Sequence, residues 1–198
     1  MKRICVFCGS NSGFRPEYGE TASRLGRLLA RRGIGLVYGG ANRGLMATLA
    51  DSVLATGGEV TGVMPRGLVA REVAHTGLSD LRVVNSMHER KALMADLSDA
   101  FIAMPGGYGT FDELFEALSW SQLGIQRKPC GLLNVCGFFD PLLGMLDHAV
   151  SEGFLRREHR ALLIPESEPE ALLAALSAAT MPEVEKWVDG RPGSGPVR

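Results

Sequence analysis

The sequence has few of the features that mark membrane, secreted or nucleic-acid-binding proteins. None of its apolar runs approaches the ~20 residues that a membrane-spanning helix needs. The apolar stretch behind the basic start at Lys2 and Arg3 is too short for a signal peptide. The formal net charge is -1, which favours neither a nucleic-acid backbone nor an anionic membrane as a partner. We therefore expect a cytoplasmic protein.

Cysteine is also scarce, and the four residues are not arranged as a metal or redox site. Cys5 and Cys8 have C-x-x-C spacing, but both fall in a predicted strand, where residues three apart point to opposite faces. A redox pair of this spacing belongs at a helix N-terminus instead. The four histidines are scattered, and no pair has the spacing of zinc ligands. We expect buried free thiols and no metal.

Lysine is equally rare, and only Lys91 lies near the site predicted below. A pyridoxal-phosphate enzyme needs a lysine for its Schiff base, and no supporting motif surrounds Lys91. The chain contains neither G-x-G-x-x-G nor G-x-x-x-x-G-K-[ST]. A pyridoxal-phosphate decarboxylase, a dinucleotide-dependent enzyme and a P-loop ATPase are therefore all disfavoured.

The 198 residues, 45% of them hydrophobic, are typical of one globular domain. Short apolar runs alternate with segments of helical periodicity, and most of these runs are apolar throughout rather than alternating with polar residues. That pattern predicts a mainly parallel sheet covered by helices on both faces. We expect a single doubly wound, Rossmann-like α/β domain over residues 1–180 and a partly disordered tail over 181–198. The predicted strands are 3–8, 34–38, 59–64, 81–84, 100–104, 129–135 and 162–164.

Three glycine-bearing loops, at 9–13, 39–44 and 106–109, directly follow predicted strands. In a doubly wound sheet the carboxyl ends of the strands meet at one edge, and ligands bind there. One such loop is weak evidence, because tight turns often need glycine. Three at the same edge indicate a ligand the size of a nucleotide.

The third loop lies in the segment Pro105-Gly106-Gly107-Tyr108-Gly109-Thr110-Phe111-Asp112-Glu113, between a predicted strand and a predicted helix at 112–124. Glycines there leave backbone N–H groups accessible, and the helix N-terminus adds a positive dipole end, which together favour a phosphate. Asp112 and Glu113 are expected in the first helical turn, where the dipole stabilises carboxylates. Two acids beside a phosphate site would also suit catalysis.

A second polar segment, Met87-His88-Glu89-Arg90-Lys91, begins a predicted helix at the same edge. Arg90 offers a forked guanidinium and Lys91 a point charge, and both suit a phosphate. The alternative interpretation is a solvated helix surface. His88 by itself is expected to be a surface or structural histidine.

Taken together, PGGYGTFDE at 105–113 and MHERK at 87–91 closely resemble the Lonely Guy family. Its members are cytokinin riboside 5′-monophosphate phosphoribohydrolases, often mislabelled as lysine decarboxylases. The resemblance extends over about residues 3–180, with support from Cys8-Gly9-Ser10, Gly39-Gly40 with Gly44-Leu45-Met46, and REVAH at 71–75. It implies hydrolysis of the N-glycosidic bond of these nucleotides, and of AMP, to free base and ribose 5-phosphate. It also implies a homodimer and no cofactor.

The resemblance further implies that Arg90 and Glu113 are the catalytic pair. The residues it implies for substrate binding are Gly9, Ser10, Gly39, Gly40, Gly44, Met46, Glu72, Met87, Lys91, Gly106, Gly107, Tyr108, Gly109, Thr110, Asp112 and Ser119. The chain departs from the family at Ala41 and Ala47, where many members have glycine. The extra methyl groups are expected to narrow the edge of the pocket and to affect substrate size.

The chemistry of such a hydrolysis suits these residues. Cleavage builds positive charge on the sugar, and Glu113 can stabilise that charge, hold the ribose hydroxyls or orient the attacking water. Two alternatives remain open. One is a nucleotide or molybdenum-cofactor carrier of the same fold, which would have no need of the pair Arg90 and Glu113. The other is a general purine monophosphate hydrolase, which differs only in specificity.

Overall fold

The computed structural model describes residues 1–69 and 74–180. The predicted tail at 181–198 and the predicted substrate residue Glu72 lie outside the described residues. In the described part of the chain, seven strands form one sheet in the order β4-β3-β2-β1-β5-β6-β7, and every neighbouring pair is parallel. This confirms the predicted fold class. The strands are β1 Arg3–Phe7, β2 Gly35–Tyr38, β3 Val60–Pro65, β4 Asp80–Val84, β5 Ala100–Ala103, β6 Cys130–Leu133 and β7 Leu163–Glu166.

Helices cover both faces of the sheet. Helices α1, α2 and α8 share one apolar layer with the sheet, and α4, α5 and α6 share the other. Among the described residues, none of the helices has the length and apolar character needed to cross a membrane. The helices are α1 Pro16–Arg31, α2 Gly44–Ala55, α3 Arg66–Val69, α4 Met87–Asp96, α5 Tyr108–Gln122, α6 Asp140–Ser151, α7 Arg157–Arg160 and α8 Pro169–Ala178.

The apolar strands divide their side chains between the two layers, because successive residues of a strand point to opposite faces. In β1, Ile4 and Val6 pack in the layer of α1 and α2, whereas Cys5 packs in the layer of α4 and α5. Cys8, just past the strand, lies in the first layer, so the two thiols do point to opposite faces as predicted. The prediction of buried thiols is wrong for Cys136, which is exposed in the turn after β6 with a φ of 52°.

The topology creates a crevice between β1 and β5. From β1 the chain builds the sheet outward through β2, β3 and β4, and then returns to build the other half from β5 to β7. The loops that follow β1 and β5 therefore lead to helices on opposite faces of the sheet. A gap remains between them at the carboxyl edge, where doubly wound proteins bind ligands.

Candidate active site

A cleft of about 430 Å³ opens at this edge, a size suited to a small organic ligand. Its walls are the loop after β1, residues 8–13, and the segment 105–110, which runs from the loop after β5 into the first turn of α5. Six side chains from other elements complete the lining, and they are Tyr18, Leu45, Met46, Arg90, Glu113 and Phe138.

Gly9 and Gly44 allow the loop after β1 to pack closely on its neighbours, the loop after β5 and the start of α2. The N–H of Gly9 donates to the carbonyl of Pro105 over 3.0 Å, and the carbonyl of Gly9 accepts from the N–H of Leu45 over 3.1 Å. Gly44 has a φ of +55°, and a side chain there would overlap the backbone of Ser10 and Asn11. The carbonyl of Gly9 therefore occupies the N-terminus of α2, which is not left free for an anion.

The N-terminus of α5, in contrast, opens onto the cleft. Gly107 is the residue before the helix, and Gly107 through Thr110 line the cleft. The first N–H groups of a helix have no carbonyl partner four residues earlier. A side chain at Gly106 would overlap the hydroxyl of Thr110, so glycine is needed for this tight approach. The arrangement is suited to an anion such as a phosphate.

The start of α5 also corrects one prediction. The helix begins at Tyr108, four residues earlier than expected, because the extended backbone of Gly107 already serves as its N-cap. Asp112 and Glu113 therefore lie in the second turn, and the first turn contains no acidic residue. The interpretation of these two carboxylates as simple helix-start residues is wrong.

Arg90 of α4 and Glu113 of α5 meet inside the cleft. Their closest atoms, Nη1 and Oε1, lie 3.5 Å apart, and the two side chains are only 10% and 11% exposed. Arg90 Nε donates to the carbonyl of Val63 over 3.0 Å, and Nη2 donates to the carbonyl of Gly39 over 3.4 Å. A side chain at Gly39 would overlap this guanidinium. The interpretation of Arg90 as part of a solvated helix surface is therefore wrong.

Burial governs the electrostatics of the cleft. It raises the pKa of Glu113 to about 6, while the nearby Arg90 acts in the opposite direction. Burial and the charge of Glu113 also raise the pKa of the Cys8 thiol, which stays protonated and is a poor nucleophile. Near neutral pH the cleft thus holds an ionised carboxylate in surroundings that disfavour its negative charge. A positive charge developing on a ligand would relieve that penalty.

The structure brings ten of the predicted site residues together in the cleft lining. These are Gly9, Ser10, Met46, Arg90, Gly106, Gly107, Tyr108, Gly109, Thr110 and Glu113.

Other predicted residues lie outside this lining. Gly39 and Met87 contact the guanidinium of Arg90, and Gly40 accepts a hydrogen bond from the N–H of His75. Ser119 is exposed and borders a separate groove. Gly44, Lys91, Asp112, Ala41 and Ala47 do not line the cleft either.

Sequence reasoning missed the aromatic wall of the cleft. Tyr18 of α1 and Phe138, which follows β6, both line it, and their rings form an edge-to-face pair with centroids 6.0 Å apart. Tyr18 lies in the first turn of α1, five residues after the glycine loop at 9–13, and this closeness in sequence was a usable signal. Phe138 is far from every glycine loop in sequence, and only the tertiary fold brings it to the cleft.

Comparisons with known proteins found relatives that match most of the chain. Residues 46–176 match the family model described as possible lysine decarboxylase. The chain is 47% identical over 197 residues to a cytokinin riboside 5′-monophosphate phosphoribohydrolase of Oryza sativa subsp. japonica, which covers 98% of this chain and 81% of that protein. It is 49% identical over 176 residues to the enzyme of the same name from Rhodococcoides fascians, and this alignment covers 88% of this chain and 89% of that enzyme.

Among solved structures, the molybdenum cofactor carrier protein of Chlamydomonas reinhardtii is similar in fold. It has a TM-score of 0.67 and 21% sequence identity, with 88% of this chain and 95% of that chain covered. The molybdenum cofactor binding protein of Rippkaea orientalis has the same TM-score at 23% sequence identity. The match covers 90% of this chain and 97% of that chain. At these identities the likeness concerns the fold alone.

Proposed function

Because this chain belongs to the Lonely Guy family of cytokinin riboside 5′-monophosphate phosphoribohydrolases, we propose that it hydrolyses the N-glycosidic bond of such nucleotides and of AMP. The products are the free base and ribose 5-phosphate. The observation that carries the proposal is the buried pair Arg90 and Glu113, which shares one cleft with the open N-terminus of α5.

The first step is binding of the 5′-phosphate at the N-terminus of α5. The N–H groups of Tyr108, Gly109 and Thr110 offer donors, and the helix dipole favours the negative charge. Glu113 lies on the same face of α5 as Thr110, about one helical turn or ~5 Å further along. A phosphate bound at the helix N-terminus would therefore bring the attached ribose toward Glu113, and fixing that orientation lowers the barrier to reaction.

The second step is cleavage of the bond between ribose and base. Positive charge develops on the sugar as this bond lengthens, and the buried carboxylate of Glu113 stabilises it more strongly than water would. The same carboxylate can hold the ribose hydroxyls or orient the attacking water. Arg90 neutralises negative charge on the departing base or the phosphate, and the carbonyls of Val63 and Gly39 hold its guanidinium in place.

A homodimer is part of the proposal, and the outer face of α5 and α6 supports it. Helix α6 has no fully buried residue, although most of its side chains are apolar. Met145 of this helix, Phe154 just after it, and Leu123 and Ile125 just after α5 are exposed hydrophobic residues. A second copy on this face would remove these side chains from water. Sedimentation equilibrium of wild type and of Met145→Glu tests the proposed homodimer. We expect wild type to be a dimer and Met145→Glu to dimerise more weakly. A monomeric wild type would contradict the proposed homodimer.

The cytoplasm is the proposed location. Free thiols at Cys5, Cys8 and Cys130 support it, because reduced cysteines are the rule in that compartment. Fractionation of cells that express the tagged full-length chain tests it, and recovery of the chain mainly with the membrane or the medium would contradict it.

Product analysis tests the proposed reaction. The purified protein is incubated, without added metal, with isopentenyladenosine 5′-monophosphate or with AMP, and free base and ribose 5-phosphate are measured. The two unphosphorylated nucleosides serve as matched controls. We expect base release from the monophosphates only, and the ratio of the two rates identifies the preferred base. Equal cleavage of the unphosphorylated nucleosides would contradict the proposed phosphate site.

The same experiment separates the enzyme from a carrier. Binding of the nucleotides, measured by calorimetry, without any product over hours would replace hydrolysis by a carrier function. Faster cleavage of AMP than of the isopentenyl nucleotide would favour a general purine monophosphate hydrolase.

A further inference from the structure

Lys91, next to Arg90 in the sequence, lies away from the cleft. It does not belong to the cleft lining, and its side chain is only 14% exposed. It borders a small apolar cavity that is also lined by Phe7, Phe101 and Trp120. A phosphate at the N-terminus of α5 would therefore not be held by this lysine as the structure stands.

Lys91 instead binds two carboxylates of α5. Its Nζ lies 3.2 Å from Oδ2 of Asp112 and 2.5 Å from Oε2 of Glu116. Residues four apart lie one above the other on a helix face, so the ammonium group spans one turn of α5. Glu113, the partner of Arg90, follows Asp112 directly. Two adjacent cations of α4 thus contact three carboxylates within five residues of α5.

These ion pairs connect two helices that pack mainly on different strands. Helix α4 packs on β3 and β4, whereas α5 packs on β1 and β5. Arg90 comes from the first helix and Glu113 from the second, so the spacing of the two helices sets the 3.5 Å separation of the pair. Anything that fixes this spacing also fixes the geometry of the cleft.

We propose that Lys91 is a positioning residue that, through Glu116 and Asp112, holds α4 against α5 and keeps Arg90 in register with Glu113. The role rests on the function proposed above. Of its two ion pairs, only the one with Glu116 is largely shielded from water, with side chains 14% and 23% exposed. Such a pair adds little net stability because desolvation opposes the attraction, but it restricts geometry. A displacement of about 1 Å in a reacting group can lower a rate by ~10²-fold. Lys91 would therefore act on turnover without touching the substrate.

Three variants test the proposal. Lys91→Met keeps the length of the side chain and removes its charge, Glu116→Gln removes the charge of the nearer carboxylate, and the double variant removes both charges. Lys128→Met is the matched control, because Lys128 donates to the carbonyl of Ala95 on α4 and has no part in the cleft. Thermal melts identify variants that fail to fold. If Lys91→Met fails to fold, Glu116→Gln is the milder change and still tests the proposal.

The readouts are kcat, KM for the nucleotide, and the affinity for ribose 5-phosphate by calorimetry. We expect each single variant to lower kcat by about ten- to a hundredfold, with KM and the affinity within about twofold of wild type. The double variant should be no worse than the more impaired single variant, because both act through one contact. Lys128→Met should behave as wild type.

A direct contact between Lys91 and the phosphate gives a different pattern. In that case Lys91→Met weakens ribose 5-phosphate binding at least about tenfold while Glu116→Gln leaves kcat unchanged, and the proposal is overturned. A crystal structure of Lys91→Met gives a readout independent of turnover: the separation of Arg90 and Glu113 should exceed 3.5 Å, and an unchanged separation also overturns it. Failure of the proposed function would appear separately, as absence of hydrolysis by wild type.

Discussion

Two ion pairs that each join a pair of helices differ in almost every physical respect. On the surface, Arg24 of α1 contacts Glu168 at the start of α8 over 2.7 Å, with side chains 44% and 57% exposed. In the cleft, Arg90 and Glu113 are 3.5 Å apart and nearly buried. The shorter pair is the weaker candidate for function, because water solvates both of its charges.

The two ion pairs differ most in how strongly their surroundings disfavour the negative charge of the carboxylate. Burial raises the pKa of Glu113 to about 6, so its charge is maintained near neutral pH against a desolvation penalty that Arg90 only partly offsets. A fold selected for stability alone would gain by replacing such a pair with apolar side chains. The cleft therefore retains an unfavourable charge for which catalysis gives a reason, whereas the pair on α1 and α8 has only a local structural effect.

The largest expected effect follows from removing the cleft carboxylate. Glu113→Gln is nearly isosteric but cannot stabilise positive charge on the sugar, and we expect kcat to fall by about 10³-fold. Base release from isopentenyladenosine 5′-monophosphate measures it, with circular dichroism as the control for folding. A folded variant with more than a tenth of wild-type activity would remove Glu113 from the mechanism.

Arg90→Lys keeps the charge in the cleft and removes the planar guanidinium. The lysine ammonium cannot reproduce the donation to the carbonyls of Val63 and Gly39, so the charge moves relative to Glu113. We expect kcat to fall by about 10²-fold with a smaller change in KM. If only KM rises, Arg90 is a binding residue and not a catalytic one.

The fold was largely predictable from the sequence, because the patterns that indicate each strand and each turn lie within short stretches of the chain. Strand segments that are mostly apolar throughout, and the glycines after β1, β2 and β5, are enough to predict a parallel sheet with a ligand edge. The N-terminus of α5 was placed four residues late because glycines are poor helix formers in general. At this site the extended Gly107 caps the helix and the following residues continue it.

The cleft was only partly predictable, since burial and pairing are tertiary properties. The adjacent cations at 90 and 91 look equivalent in sequence, yet Arg90 enters the cleft and Lys91 contacts Glu116 outside it. Phe138 has no local signal at all. Cys136 is exposed because the turn after β6 turns it outward, although its sequence neighbourhood is as apolar as that of Cys130.

The burial of Glu113 also predicts that a substitution there has opposite effects on stability and on activity. The rise in the pKa of Glu113 from its usual value to about 6 corresponds to about 2 kcal/mol. The native state binds the proton more tightly than the unfolded state, so wild type loses this amount as pH rises from about 4.5 through 6. Glu113→Gln should therefore be about 2 kcal/mol more stable than wild type at pH 8.

Urea unfolding at pH 8 and at pH 4.5 measures this difference. The stabilisation should be present at pH 8 and mostly lost at pH 4.5, where the native carboxyl is protonated and the unfolded one is about half protonated. A variant that is less stable than wild type at pH 8 would mean that attraction to Arg90 outweighs the desolvation of Glu113.

The smallest effect is expected at the surface pair. Arg24→Ala should change the free energy of unfolding by less than about 1 kcal/mol, because exposed ion pairs contribute little. Its kcat should equal that of wild type, since Arg24 lies outside the cleft. Urea unfolding and the base-release assay measure both values, and a loss of activity in this variant would mean that the two helix pairs are coupled.

The pH dependence of base release by wild type and Glu113→Gln, measured side by side from pH 5 to 8, tests the account most directly. Ionisation of the substrate phosphate affects both proteins alike, so the ratio of their kcat/KM values reports Glu113. We predict a constant ratio above pH 7 and a fall of about tenfold for each pH unit below about 6. A ratio that stays constant across the whole range would contradict catalysis by the ionised carboxylate.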